Sequence, residues 1–256
     1  MTVSPTVATD RASYVLAANP GIMTLDGTNT WILREPGATR SVVVDPGPSD
    51  ETHLQSVLAA AGEVGLVLFT HRHFDHTEAL GRIVELTGAP ARSIDPEFSR
   101  GADPLMGGET IDVDGLSIDV LATPGHTTDS TCFLLGAEGS LLSGDTILGR
   151  GTTVIAHPDG VLGPYLDSLA HIRELIEEGL VERILPGHGP VITEPARVLD
   201  YYLEHRAERL DQVRAAVDAG ATTPREVVER VYQDVDESLW GAAELSVAAQ
   251  LDYLKP

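Results

Sequence analysis

Directly behind the apolar run Val64 to Phe69, six positions hold three imidazoles and a carboxylate: His71, His73, Asp75 and His76. A short apolar run bounded by polar residues reads as a buried strand, so a strand end delivers this cluster. His71 and His73, two apart, can point from one side of an extended loop. Asp75 and His76 sit where a helix begins and can face a second ion. Imidazole nitrogen and carboxylate oxygen are ligands that a borderline cation such as Zn²⁺ or Fe accepts. Cys132 is the single cysteine among 256 residues. Disulfide frameworks and Cys-rich zinc sites are therefore excluded, and any metal must be held by nitrogen and oxygen.

Three later segments each offer one more donor on a Gly-rich turn after a strand: His126 in Thr123 to Thr127, Asp145 in Leu142 to Thr146, and His188 in Leu185 to Pro190. All four segments share one placement, so the edge of a sheet can bring the seven side chains together. Strands are expected at Asn29–Arg34, Ser41–Asp45, Val64–Thr70, Leu116–Ala122, Ser130–Leu135, Ser140–Leu142 and Val181–Leu185. Helices are expected at Glu51–Ala61, Thr77–Thr87 and Leu166–Glu178. Hairpin-like spacing, with helices interrupting only some strands, predicts an α/β chain of the α+β type with a mixed sheet.

After Pro190 and Pro195 the pattern turns helical, which predicts two domains, 1–195 and 196–256. The second reads as three helices, Arg197–Ala219, Pro224–Tyr232 and Leu239–Leu254. Thr223-Pro224-Arg225-Glu226 supplies a cap, Pro at the first helical position and a capping-box Glu for the middle one.

Charge narrows the partners. Thirty-nine acidic residues against 17 basic ones give a net charge of −22, a field that repels polyanions and disfavours stable duplex nucleic acid. A local metal pair can still dominate inside a cleft. The start lacks a basic flank leading into an apolar core, and no stretch approaches the ~18 to 20 apolar residues that cross a bilayer. The expectation is a soluble, cytoplasmic protein without membrane association; a homodimer is compatible with it.

The ordered set His-x-His-x-Asp-His, then His126, Asp145 and His188, resembles the metallo-β-lactamase fold superfamily over residues 20 to 190. The resemblance implies an αββα sandwich and a metal-dependent hydrolase with two divalent ions, zinc first, iron or manganese as alternatives. By the family's pattern His71, His73 and His126 would hold one ion, Asp75, His76 and His188 the other, and Asp145 would bridge them. Asp75 would also be the catalytic residue that orients the nucleophile or accepts its proton. Asp145 stands where zinc β-lactamases that use a Cys ligand carry it, and the first motif lacks the Glu of the diiron flavoproteins. Both departures point to the thioesterase and phosphodiesterase branches.

Asn19 to Thr30, Gly151 to Val154 with Tyr165 to Leu169, and Tyr202 to Arg206 resemble the lactamase-β-like protein 2 group, which has a winged-helix-like C-terminal domain. The tail here ends after its third helix, so the two-stranded wing is expected to be absent. The group implies an endoribonuclease acting on short single-stranded RNA. The alternative is a glyoxalase II-like hydrolase of a small-molecule ester or thioester: acyl-CoA, carrier-protein or glutathione. Lys255 is the only lysine, which disfavours glutathione. A metal-free binding module and a mononuclear-iron sulfur oxidation are further readings of the same fold.

Around these ligands, Asp45 at the end of Val42 to Val44 is the candidate partner for an outer imidazole nitrogen. Met23, Thr24 and His205 are candidate substrate contacts, with Leu25 beside them. His53 and His171 read as surface residues on amphipathic helices, and His157 as an exposed loop residue near the cleft. Trp31 and Trp240 read as core.

Overall fold

The computed structural model describes residues 3–233 and 235–255. In Trp31-Ile32-Leu33, Val42-Val43-Val44 and Leu66-Val67-Leu68 every side chain is apolar and buried. Successive strand residues face opposite sides, so only strands covered on both faces satisfy such a pattern.

The chain supplies that cover by forming two sheets. The first comprises β1 (Thr6–Val7), β2 (Ala12–Leu16), β3 (Asn29–Leu33), β4 (Arg40–Val44), β5 (Glu63–Leu68) and β6 (Ala91–Arg92), paired in sequence order, with α1 (Glu51–Ala61), α2 (Phe74–Thr77) and α3 (Leu80–Thr87) interposed. The second comprises β7 (Thr110–Val113), β8 (Leu116–Ala122), β9 (Thr131–Leu135), β10 (Ser140–Gly144) and β11 (Arg183–Pro186), in the order β11-β10-β9-β8-β7, with α4 (Leu162–Glu177) preceding β11. Then follow α5 (Pro195–Asp218), α6 (Pro224–Val231) and α7 (Trp240–Tyr253).

Trp31, Leu33, Val42, Val44 and Leu68 meet Ile118, Val120, Phe133 and Leu142 between the sheets. The alternate residues Ile32, Val43 and Val67 pack under α1 and α3, and Leu134, Leu141 and Ile184 pack under α4 and α5. The result is an αββα sandwich. This is the architecture that the family resemblance implies, and the mixed pairing expected from spacing is present in both sheets: β4 and β5 are parallel in one, β10 and β11 in the other. Strands β1, β2, β6 and β7 are additions to the expected set. The helix expected over Thr77–Thr87 starts later, as α3 at Leu80, and a separate turn, α2, precedes it.

α5 serves two cores. Leu199 and Tyr202 belong to the layer outside the second sheet, whereas Val213 and Ala216 join Val227, Val228 and Val247 in a satellite cluster. α6 begins at the expected capping box: Thr223 Oγ1 accepts from the Glu226 amide at 3.2 Å, and Glu226 accepts from the Thr223 amide at 3.3 Å. Among the described residues no strand follows β11, and no helix is long and apolar enough to cross a membrane. Trp240 is half-buried rather than core, because it opens α7 at the rim. Its indole donates to the Val235 carbonyl at 3.0 Å, and Arg225 lies over its ring.

Candidate metal centre

β4, β5, β8, β10 and β11 all run toward one edge of the sandwich, because β4 and β5 are parallel and β8 and β10 both lie antiparallel to β9. Asp45 follows β4. The segment Thr70 to His76 follows β5, His126 follows β8, Asp145 follows β10 and His188 follows β11. Seven donors spread over more than a hundred positions therefore meet at one rim, on turns where the backbone is free of the ladders.

Their donor atoms form three overlapping triangles: His71, His73 and His126; Asp75, His76 and His188; and His71, His76 and Asp145 between them. In the first, His73 Nδ1 lies 3.0 Å from His71 Nε2 and 3.1 Å from His126 Nε2. In the second, His188 Nε2 is 3.1 Å from Asp75 Oδ2 and 3.3 Å from His76 Nε2. Asp145 Oδ2 stands 3.3 Å from His188 Nε2 and 3.9 Å from His126 Nε2, so it faces both groups. Ligands ~2.0 to 2.1 Å from a tetrahedral zinc lie ~3.3 Å apart, which matches most of these separations.

Hydrogen bonds on the outer side set the tautomers. His126 Nδ1 donates to the Val154 carbonyl at 2.9 Å and His188 Nδ1 to the Gly27 carbonyl at 3.1 Å. His76 Nδ1 donates to Asp45 Oδ2 at 2.9 Å. The Thr70 hydroxyl spends its proton on Asp45 Oδ2 at 2.6 Å and accepts from His71 Nδ1 at 3.0 Å. In all four rings the Nε2 lone pair is left pointing inward, the outer-partner arrangement of metal-ligating histidines. Asp145 Oδ1 is buried with no hydrogen-bond partner. A buried carboxylate oxygen in that condition is costly, and a cation completes it. The close approach depends on Gly187, where a Cβ would lie 2.6 Å from Asp145 Oδ1 and 2.9 Å from His76 Cε1. These residues fit divalent cations.

Electrostatics divide the site. Burial holds His71 and His126 below the ordinary imidazole value, and burial with His126 alongside pushes His73 down to about 4. On the other side burial is outweighed. Asp145 raises His188 to about 9, and Asp75, Asp45 and Asp145 raise His76 well above its usual range. Burial opposes ionisation of Asp75 and Asp145, yet His76 and His188 hold both carboxyls far below the usual range. The carboxylates thus demand positive charge, and metal ions bound here would take the place of those imidazole protons.

Three polar residues that spacing alone did not single out support the ligands. Thr28 is fully buried, and its hydroxyl lies 3.4 Å from Asp75 Oδ2 while accepting from Asn19 Nδ2 at 3.0 Å. Asn29 Nδ2 donates to the Pro186 and Gly189 carbonyls, fixing the His188 loop to β3. A hydroxyl or amide beside a strand end was the only local signal.

Beside the ligands, Ile22, Met23, Leu25 and Leu148 line a recess of about 110 Å³ that reaches His126 and Asp145. Met23, Thr153 and Val154 also line a neighbouring cavity of about 260 Å³, walled by Tyr232, Leu239 and Ala243 from the C-terminal helices and by His205, Arg206 and Arg209. Met23 therefore lines both the recess and the cavity, and His205 lines the cavity alone. Thr24 donates its hydroxyl to the Asn19 carbonyl at 2.6 Å and shapes the loop.

The remaining histidines lie elsewhere. His53 is buried, not on the surface: its Nε2 meets Thr30 Oγ1 at 2.8 Å beneath the β4 turn. His157 is half-buried, and its amide donates to the Leu245 carbonyl of α7. His171 is exposed, and Trp31 is buried with its indole donating to the Pro186 carbonyl at 3.0 Å.

Comparison with known proteins gives a consistent result. The sequence profile of the Metallo-beta-lactamase superfamily matches residues 23–188, and that of the Beta-lactamase associated winged helix domain matches 223–255. A Drosophila melanogaster protein named Beta-lactamase-like protein 2 homolog is 33% identical over 94% of this chain and 86% of its own length. An Aspergillus fumigatus protein named Atrochrysone carboxyl ACP thioesterase is 35% identical over 88% of this chain and 75% of its own. The crystal structure of a Beta-lactamase domain protein from Burkholderia ambifaria superposes with a TM-score of 0.83 at 20% identity, covering 98% of this chain and 87% of that one.

Proposed function

The chain belongs to the metallo-β-lactamase superfamily and is a hydrolase of that superfamily; we propose that it cleaves an acyl thioester with an apolar acyl group, at a centre holding two divalent ions, zinc first among them. The observation that carries this reading is the recess lined by Ile22, Met23, Leu25 and Leu148 beside His126 and Asp145, with the neighbouring 260 Å³ cavity whose wall is largely hydrocarbon although His205, Arg206 and Arg209 also line it. Met23, Val154, Tyr232 and Leu239 present hydrocarbon to whatever enters, which suits an acyl chain. A single-stranded RNA needs a cationic track with stacking aromatics, and a chain of net charge −22 sets its field against phosphates. The Aspergillus fumigatus relative named as a thioesterase supports the same choice.

Bound here, a pair of divalent cations supplies an activated water and stabilises negative charge developing on the substrate carbonyl. His71, His73 and His126 would hold one cation and Asp75, His76 and His188 the other, with Asp145 shared. Asp75 is only partly buried, its side chain 26% exposed, and Thr28 restrains its Oδ2. Its carboxylate would orient the nucleophile or accept its proton. Both Asp75 and Asp145 are held ionised. A thiolate, with an ordinary thiol pKa of about 8.5, departs without needing a proton from them.

The test is a panel of acyl-CoA and acyl-pantetheine thioesters of rising chain length beside a labelled oligoribonucleotide, each assayed across a range of salt. Thioester turnover should rise with acyl length and respond little to salt. Ala243→Trp, which fills the cavity, should lower kcat/KM for long acyl groups and spare acetyl. Oligonucleotide cleavage that falls steeply with salt, without thioester turnover, would overturn the reading.

A further inference from the structure

α5 packs outside the second sheet and directs one charged side chain, Arg206, at the chain segment that follows Asp145. Arg206 is 8% exposed, a position where a guanidinium depends on its partners, and its buried Nε has no hydrogen-bond partner. Its Nη2 donates to the Thr153 carbonyl. Its Cζ lies 5.2 Å from the centre of the Tyr165 ring, a cation–π distance. The Tyr165 hydroxyl in turn donates to the Thr146 carbonyl at 2.8 Å. Arg206 and Tyr165 thus brace, from two helices, the stretch of chain between Asp145 and Val154.

That stretch is what two of the ligands hold. Thr153 Oγ1 donates to the Asp145 carbonyl at 2.7 Å. The next carbonyl along, that of Val154, accepts from His126 Nδ1 at 2.9 Å. Within two residues, then, one carbonyl is taken by Arg206, one hydroxyl by the backbone of Asp145 and one carbonyl by the ring of His126. If the guanidinium is withdrawn, the Thr153–Val154 peptide loses its anchor, and with it the group that fixes the tautomer and tilt of the His126 imidazole.

We infer that Arg206 is a positioning residue for the metal centre, clamping Thr153–Val154 so that His126 and Asp145 keep their reach toward the cations. The affinity of the His71, His73 and His126 position thereby depends on the C-terminal helices. This rests on the ligand set and not on the identity of the substrate. Arg206 also lines the cavity, so the competing role is direct contact with substrate, and a substrate-free readout separates the two.

The experiment uses the full chain loaded with Zn²⁺ or Co²⁺ and titrated with a chromophoric chelator in the absence of substrate. Arg206→Met keeps most of the volume and loses the donors. It should weaken one of the two ions by ~10- to 100-fold, as loss of an outer partner typically does, and change the Co²⁺ visible spectrum, with the ion at Asp75, His76 and His188 retained. Arg206→Lys should fall between Met and the parent. Should Arg206→Met fail to fold, Thr153→Val, which removes only the hydroxyl on Asp145, should still weaken metal binding, while Thr153→Ser should restore it. Unchanged metal affinity in Arg206→Met with a raised KM would assign Arg206 to substrate binding and overturn the inference, as would parent-like affinity in Thr153→Val.

Discussion

Asp45 shows how one buried carboxylate orders the chemistry around it. At the end of β4 it adopts φ 51°, a left-handed conformation that Asp tolerates better than most side chains. That turn lets one carboxylate receive the Thr70 amide at 2.8 Å, the Thr70 hydroxyl at 2.6 Å and His76 Nδ1 at 2.9 Å. Asp45→Asn keeps the size but puts an amide against one of three donors. Metal affinity by chelator competition should fall ~10- to 100-fold; parent-like affinity would show that His76 needs no anionic partner. Asp75→Ala removes a ligand and the proposed base together. Hydrolysis should drop to background while far-ultraviolet circular dichroism stays native, and appreciable turnover by the folded variant would remove Asp75 from the reaction. Cys132 is fully buried, and burial pushes its thiol up to about 11. Ellman's reagent at pH 8 should therefore find no reactive thiol until denaturant is added, and prompt labelling of the native protein would contradict the packing. The candidate ligands were legible because each follows an apolar run: four cluster between His71 and His76, and His126, Asp145 and His188 stand singly on Gly-rich turns. His53 was not: its helix is amphipathic, and only a contact from distant Thr30, invisible to local periodicity, turns the ring inward.

At the scale of elements, strands buried on both faces announced themselves as unbroken apolar runs. β1 and β6 have two residues each, too few for any period, and exist because a neighbouring edge pairs with them. The late start of the predicted second helix also follows from tertiary demand: α2 is a separate single turn that aims Asp75 and His76, and α3 starts at Leu80 so that Leu80 and Ile83 reach the first sheet. The Thr223 capping box, by contrast, is local chemistry and was readable as such. Thr223→Ala leaves the α6 amides that it caps without their acceptor and should cost about 1 kcal/mol. Because Val227 and Val228 pack only into the satellite cluster, the loss should appear as faster amide hydrogen exchange in α6 and α7, with the sandwich strands unchanged. Uniform acceleration across both sheets would mean that the terminal helices and the sandwich unfold as one.

In the whole molecule, the sandwich serves to bring the ends of five strands to one rim, and its energetics cannot be separated from what the rim holds. Five imidazoles and two carboxylates converge there, with ring nitrogens as close as 3.0 Å and Asp145 Oδ1 without a hydrogen-bond partner. An unfolded chain cannot assemble such a site, so the free energy of metal binding adds to that of folding. With free zinc at 100 times its dissociation constant one site contributes about 2.7 kcal/mol. At ~2 to 4 °C per kcal/mol for a chain of this size, chelation of that ion should lower Tm by ~5 to 11 °C. The loss should be reversed by zinc and not by magnesium, whose preference for octahedral oxygen ligands does not match an imidazole-rich site. The check is a calorimetric scan of chelator-treated protein before and after each cation is restored. A metal-free protein that melts at the same temperature as the loaded one would mean that the rim closes equally well without ions, and the triangles of donor atoms would then need another explanation.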